Sequence, residues 1–391
     1  MKITELCKEY CIGCGLCKSE LNSDFSEDEK GFLSPVFQQC EAEKDFLERV
    51  CPVTDKHTRE DGFPVWGDGK EVFAAYSTDC EIRNRASSGG VLTALAIYLL
   101  ETGKVDAVLQ VKSREEKPTE TVLVISTSKE QIIDSCGSRY AISSPWLNLS
   151  EQIEEKKTYA AIAKPCDILA LRRLQNEFGK YKNITYLFSF FCAGLPSKTA
   201  NRNLMEKLGC NEERCKSLVY RGNGWPGYAT AVDADGVVYK MNYSRAWGEI
   251  LGRDVNPFCR LCMDGIGEAA DIACGDGWYV KDGEPDFSER EGRNVVFLRN
   301  QRGEEIFRAA VKGGYLHAET WEDLRQLQVI QKYQYTRRTT MRAKLLAYRI
   351  GLRKAPQYDR MTLKEYAKSA NGKQKAKIFL GTMKRIISRK I

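Results

Sequence analysis

Cys11-Ile12-Gly13-Cys14-Gly15-Leu16-Cys17, with Cys51-Pro52 about thirty-four residues further on, sets three thiols at two-residue spacings and a fourth beside a proline. That pattern puts four thiolates within reach of one cube of iron and sulfide, as in bacterial ferredoxins, and is a [4Fe-4S] signature. Gly13 and Gly15 suit it because a tight loop must turn backbone N–H groups in towards sulfur without a Cβ clash. The fourth thiol is displaced from its usual place by a polar insert carrying Asp24, Glu27, Asp28 and Glu29. A structural zinc site is the alternative, but zinc normally takes two separated Cys pairs rather than one continuous run. Cys7 and Cys40 are the substitutes should Cys51 not be a ligand.

A chain of 391 residues holds two or three units at roughly 150 residues each. We divide it into a ferredoxin-like module (1–60), a cofactor-binding α/β domain (71–325) and a basic helical extension (331–391). Fifteen cysteines with no apolar leader in Met1-Lys2-Ile3-Thr4-Glu5 point to metal binding in a reducing cytoplasm, not to disulfides. The longest strongly apolar run, Val91 to Leu100, is half of a membrane span, so none is expected. The two histidines, His57 and His317, stand isolated, which argues against histidine-centred acid/base catalysis. No side chain stands out as a catalytic proton donor.

A linker from Thr54 to Lys70, with Gly62, Pro64, Gly67 and Gly69, precedes a strand at Val72 to Tyr76. The loop Ser87-Ser88-Gly89-Gly90 opens an apolar helix from Val91 to Leu100. Unpaired N–H groups and the helix dipole make such a loop an anion site, with simple capping by a serine as the alternative. Strands follow at 105–111, 121–125, 158–163 and 184–191, with helices at 147–156, 168–178 and from Ser197 to Leu208. Alternation of this kind gives an α/β unit whose ligands lie at strand carboxyl ends.

Two of those strands deliver Cys166 and Cys192, and Cys259-Arg260-Leu261-Cys262 comes later. We read these four as ligands of a second [4Fe-4S] cluster, with zinc or free buried thiols as the alternatives. Cys80, Cys136, Cys210, Cys215 and Cys274 read as small hydrophobes. Between Cys192 and Cys259, Arg221-Gly222-Asn223-Gly224-Trp225-Pro226-Gly227 forms a rigid loop able to pass near a ligand, Trp225 being available to pack on a flat ring.

From residue 331 onwards about eighteen Lys and Arg face only Asp359 and Glu365, while the whole chain carries +7. Ile378, Phe379, Leu380, Met383, Ile386 and Ile387 trace one face of a basic helix that Gly381 weakens. A solvated charged face is the commoner outcome for such a tail, and contact with a membrane surface or an acidic partner is the alternative. No nucleic-acid motif accompanies the charge.

Ser88-Gly89-Gly90-Val91-Leu92-Thr93-Ala94-Leu95, Gly137-Ser138-Arg139-Tyr140, Pro165-Cys166-Asp167, Phe191-Cys192-Ala193-Gly194-Leu195-Pro196-Ser197, Tyr220-Arg221-Gly222-Asn223-Gly224-Trp225-Pro226-Gly227, Cys259-Arg260-Leu261-Cys262 and Ala270-Asp271-Ile272 occur in order. Over roughly residues 8 to 315 the chain resembles the coenzyme F420 hydrogenase/dehydrogenase beta-subunit family, which also includes ferredoxin-dependent 7-hydroxymethyl chlorophyll a reductase. The resemblance implies an iron–sulfur flavoprotein with FAD beside a [4Fe-4S] cluster. By position, Ser88, Gly89 and Gly90 would hold the FAD pyrophosphate, and Arg139 with Asn223, Gly224 and Trp225 would border the flavin. The split N-terminal motif departs from the family, as does Lys164-Pro165-Cys166-Asp167, where Thr-Pro-Cys-Gln is commoner.

The expected fold is therefore α/β: a ferredoxin-like iron–sulfur module, a mixed α/β flavin- and cluster-binding domain, and a helical basic tail. The expected activity is an electron relay from a ferredoxin or similar one-electron donor through two [4Fe-4S] clusters to FAD, with hydride exchanged with coenzyme F420 or another small molecule. The alternatives are a ferredoxin-dependent reductase of a sugar-like or tetrapyrrole-like substrate, a non-enzymatic electron-transfer subunit, and a redox or iron sensor.

Overall fold

The computed structural model describes residues 2–58, 62–63 and 65–388; Pro64 of the expected linker lies outside them. At the start of the chain, helices Ile3–Glu9, Leu16–Leu21 and Glu41–Val50 surround a hairpin of β1 (Phe25–Glu27) and β2 (Leu33–Pro35). Cys51 follows the last turn of Glu41–Val50, and Pro52 opens the short turn Pro52–Thr54. Proline suits that place because its missing N–H would have no partner there.

The centre is an eight-stranded mixed sheet. Its first five strands are β3 (Glu71–Ser77), β4 (Ala107–Ser113), β5 (Thr121–Ser126), β6 (Tyr159–Ala163) and β7 (Ile184–Phe190). A separate antiparallel sheet of β8 (Cys215–Val219), β9 (Tyr228–Asp233) and β10 (Val238–Asn242) interrupts the order. The central sheet resumes with β11 (Ile272–Asp276) and, past a hairpin of β12 (Tyr279–Lys281) and β13 (Glu284–Asp286), ends with β14 (Asn294–Leu298) and β15 (Leu316–Thr320). Its spatial order is β15-β3-β14-β11-β7-β6-β4-β5. The inner strands β11, β7, β6 and β4 are parallel, and the flanks are antiparallel.

Successive residues Ala160 and Ala161, Leu187 and Phe188, and Ile272 and Ala273 are all sealed from solvent. Strands buried on both faces read as continuous apolar runs, which is how they were recognisable. One face is covered by Val91–Glu101 and Gln301–Lys312. The other receives Pro165–Phe178 together with Leu16, Phe46 and Val50 from the N-terminal helices.

Strand positions agree with the sequence to within two residues, whereas two helices differ. The expected helix at 147–156 shrinks to Leu149–Gln152. The helix expected from Ile168 begins at Pro165, so Cys166 stands in its first turn.

The basic C-terminal segment is not the solvated extension its composition suggested. It forms helices Gln326–Ile330, Lys332–Thr339, Met341–Ile350, Arg360–Lys368 and Gly372–Ile387. Met341, Tyr348, Tyr366 and Ile386 share one apolar cluster with Leu6, Tyr10 and Leu47 of the N-terminal helices and with Phe258 and Leu261. Arg337 and Arg338 are buried, and the Tyr10 hydroxyl donates to the Lys354 carbonyl at 2.7 Å. Burying guanidinium groups costs heavily unless each finds acceptors, so the segment is fitted to what it covers. No helix among the described residues is long and apolar enough to cross a membrane.

Candidate functional site

Cys11, Cys14, Cys17 and Cys51 line one pocket, and Cys7 lines it too. Gly13, at φ +69°, donates its N–H to the Cys11 sulfur at 3.3 Å. Gly15, at φ +98°, lies so close to the Leu147 backbone that an added Cβ would sit 2.3 Å from its nitrogen. Burial pushes the Cys11 thiol up to about 12, against the Gly13 N–H. Burial likewise holds Cys14 and Cys17 well above their ordinary value. Cys51 is lowered, first by a hydrogen bond from Cys7 and also by the N–H groups of Val53 and Thr54, with burial opposing. Cys40 is exposed at the start of Glu41–Val50 and does not reach this pocket.

The second set also assembles. Cys166 stands at the start of its helix after β6, Cys192 follows β7, and Cys259 and Cys262 come from the turn after Pro257. Burial raises all four thiols, and the charges of Cys192 and Cys262 add to the effect on Cys166. The Leu195 N–H donates to the Cys259 sulfur at 3.3 Å, and Cys259 is pushed up to about 12. Among the described residues no His, Cys, Asp and Glu group closes tightly enough to hold a single metal ion.

Both sets fit an iron–sulfur core by their chemistry. Bare thiols crowded out of water stay protonated, whereas a multivalent cationic core deprotonates them, and inward N–H groups supply the hydrogen bonds that cluster sulfurs take. The sets are adjacent. Trp146, fully buried, donates its backbone N–H to the Cys14 carbonyl at 2.9 Å and its indole N–H to the Asp167 carbonyl at 3.0 Å.

A cavity of about 390 Å³ opens beside the second set, at the carboxyl ends of β6, β7 and β11. This is where an open α/β sheet binds ligands, and the size lies within the usual range for small-molecule pockets. Ser87, Ser88 and Gly90 border it where Val91–Glu101 begins, as do Arg139, Lys164, Cys192, Asp276 and Trp278. Arg139 is half-buried, donates an Nη to the Ser138 carbonyl at 3.2 Å, makes no ion pair among the described residues and leaves its Nε without an acceptor; desolvation lowers its pKa. A guanidinium held this way at a cavity wall fits an anionic ligand group such as a pyrophosphate. Lys164 is buried and paired with Asp167 at 2.6 Å. Burial works against its charge, and Asp167 with Cys166 outweighs it, leaving the pKa raised.

Several expected residues are placed differently. Gly89 is needed for packing, since an added Cβ would sit 2.7 Å from the Ala75 carbonyl oxygen. The Ser87 and Ser88 hydroxyls donate to the carbonyls of Arg221 and Arg293, and the Val91 N–H at the helix start donates to the Asn294 Oδ1 at 3.3 Å. Asn223, Gly224 and Trp225 do not line it. Trp225 is buried and stacks on Trp278 with centroids 4.2 Å apart and planes at 4°, so Trp278 presents the ring to the cavity. The loop glycines serve its own packing: a Cβ on Gly222 would meet the Arg85 carbonyl and one on Gly227 the Gly222 carbonyl.

Sequence reasoning missed Trp278, Asp276 and the C-terminal residues Tyr333 and Gln334, all of which line the cavity. Asp276 is held by both Nη atoms of buried Arg221 at 2.8 Å, a bidentate pair joining two loops that only the fold brings together. Cys136 and Cys274, read as small hydrophobes, also reach the lining. His57 is buried between Glu268 and Arg338, and His317 stacks on Tyr76 at the surface.

Residues 72–151 match the model for the N-terminal part of the coenzyme F420 hydrogenase/dehydrogenase beta subunit, and residues 156–323 match that for its C terminus. The coenzyme F420 hydrogenase beta subunit of Methanothermobacter thermautotrophicus is 27% identical over 270 residues, 67% of this chain and 88% of that protein. An F420-dependent formate dehydrogenase beta subunit of Methanococcus maripaludis is 27% identical over 248 residues, 63% of this chain and 60% of its own length. In fold, the chain is similar to a subunit of the F420-reducing [NiFe] hydrogenase complex of Methanosarcina barkeri, with TM-score 0.58 and 22% identity over 76% of this chain and 99% of that one. Two consecutive family matches spanning nearly the whole central sheet lead to one conclusion: the chain belongs to the coenzyme F420 hydrogenase/dehydrogenase beta-subunit family.

Proposed function

We propose that the protein is an iron–sulfur flavoprotein oxidoreductase that exchanges electrons with a ferredoxin-like or subunit partner and hydride with coenzyme F420 or another small organic molecule. The observation that carries this reading is the shared wall at Cys192. One of four clustered thiols also lines a cavity bordered by a glycine-rich helix start and by Arg139, whose Nε has no acceptor. In that reading Cys11, Cys14, Cys17 and Cys51 hold one [4Fe-4S] cluster, Cys166, Cys192, Cys259 and Cys262 a second, and the cavity takes FAD.

Bound flavin supplies the junction between one-electron and two-electron chemistry. The chain's own residues hold the pieces. Arg139, beside the glycine-rich start of Val91–Glu101, would offset pyrophosphate charge, and Trp278, backed by Trp225, offers a fixed ring face. Trp146, fully buried, fills the space between the loop of Cys14 and the helix start that carries Cys166. Relatives named as hydrogenase, formate dehydrogenase and sulfite reductase proteins support an oxidoreductase role linked to F420, and the hydrogenase complex supports work alongside partner subunits.

Cys166→Ser tests the ligand assignment, because it should remove about half of the iron and spare the N-terminal set. Unchanged iron content contradicts it. Bleaching of F420 absorbance by the reduced protein tests the acceptor; turnover with reduced ferredoxin and no F420 response would assign a different organic substrate.

A further inference from the structure

The family matches end at residue 323, yet the chain continues into a helix that touches the second cysteine set directly. Within Lys332–Thr339, the guanidinium of Arg337 donates to the Cys192 carbonyl at 3.2 Å and to the Cys259 carbonyl at 3.4 Å. Gln334 donates to the same Cys192 carbonyl at 2.9 Å and accepts from Arg337. Gly265 makes room for this arrangement: a Cβ there would lie 1.4 Å from the Arg337 Nη2. Gly265 also accepts the Cys192 N–H at 2.8 Å, so the peptide groups on both sides of Cys192 are fixed. Arg337 is 5% exposed and pairs with no carboxylate among the described residues, and its Cζ stands 5.1 Å from the Tyr333 ring centre.

A buried arginine without a carboxylate partner is costly unless negative charge nearby offsets it. The negative charge that favours its ionised form comes from Tyr333 and from Cys262, Cys192 and Cys259, three of the four thiols that would carry a cluster. We propose that Arg337, presented by the C-terminal helices, is a positioning residue of the second cluster: it clamps the backbone of two of its ligands and raises the cluster's reduction potential. Net charge, hydrogen bonding and exclusion of solvent are the terms that set such potentials. A fixed positive charge favours the reduced, more negative form. The basic C-terminal segment then acts on electron flow from inside the molecule. This inference rests on the cluster assignment under Proposed function.

The test is a potentiometric titration of the anaerobically purified full chain, followed by electron paramagnetic resonance, with the N-terminal cluster as the internal reference. Arg337→Met should retain its iron while the second cluster's midpoint potential moves in the negative direction and that of the N-terminal cluster stays in place. Arg337→Lys, which keeps the charge, should stay nearer to wild type. An iron-replete Arg337→Met with an unmoved second potential overturns the proposal. If Arg337→Met fails to fold, Arg337→Gln gives the same reading, because it removes the charge and keeps an amide N–H able to donate to the cysteine carbonyls. A negative shift supports the proposal and an unmoved potential overturns it. Iron unchanged in Cys166→Ser would instead overturn the assignment on which the proposal rests, so the two failures are distinguishable.

Discussion

Asn256 donates its side-chain N–H to the Cys11 carbonyl at 2.8 Å, across 245 positions of sequence, while its Oδ1 accepts the Phe258 N–H at 2.9 Å. One amide thus ties the N-terminal cysteine loop to the turn that presents Cys259. Asn256→Asp keeps the acceptor for Phe258 and loses the donor to Cys11, so it should destabilise by about 1–3 kcal/mol. Urea unfolding measures the cost, and a midpoint equal to wild type would show that the two loops are held together by other contacts.

Arg139 stands at the cavity wall and forms no ion pair among the described residues. Arg139→Met should weaken flavin binding by about 10- to 100-fold, the worth of a charged hydrogen bond. Thermal stability of the flavin-free protein should hold or rise, since a half-buried charge that makes no ion pair among the described residues is removed. Flavin fluorescence titration reads the first effect, and an unchanged dissociation constant would place the pyrophosphate elsewhere.

Glu268 meets the fully buried Arg338 and His57. Burial alone would raise its carboxyl, but Arg338, His57 and Arg299 outweigh burial and hold it at about 2. A carboxyl depressed in the folded state contributes stability that is fully present above its ordinary value near 4.5 and is lost as pH falls towards 2. The stability gap between wild type and Glu268→Gln, about 3 kcal/mol by that shift, should narrow from pH 5 to pH 3. A gap constant over that range contradicts the ion-pair account.

Gly381 sits inside the helix Gly372–Ile387 with nothing within 4 Å of an added Cβ. Gly381→Ala should stabilise the protein by about 0.5–1 kcal/mol through helix propensity and a less flexible unfolded chain. A lowered melting temperature would mean that the helix end is formed differently.

Much of this organisation was legible from the chain. Both cysteine sets were picked out because thiols at fixed local spacings or at strand ends survive in one dimension, and the fold brings the members of each set near one another. The strands were legible because doubly buried parallel strands leave unbroken apolar runs, as at Ala160 and Ala161. The C-terminal segment misled because charge reads locally as solvent exposure, whereas the burial of Arg338 depends on Glu268, seventy positions earlier. Trp225 misled similarly: its stacking partner Trp278 lies fifty-three residues ahead, and no periodicity links them. Gly381 weakened a helix that its capping box, Asn371 with Gln374, starts firmly.

The central claim is that two thiol sets and one cavity serve two clusters and a flavin, and the most direct test is a joint determination of iron, sulfide and flavin on protein purified without oxygen. About eight irons, matching sulfide and one FAD per chain are expected, with the broad visible absorption of clusters over that of flavin. Zinc in their place, with neither sulfide nor flavin, would contradict the account.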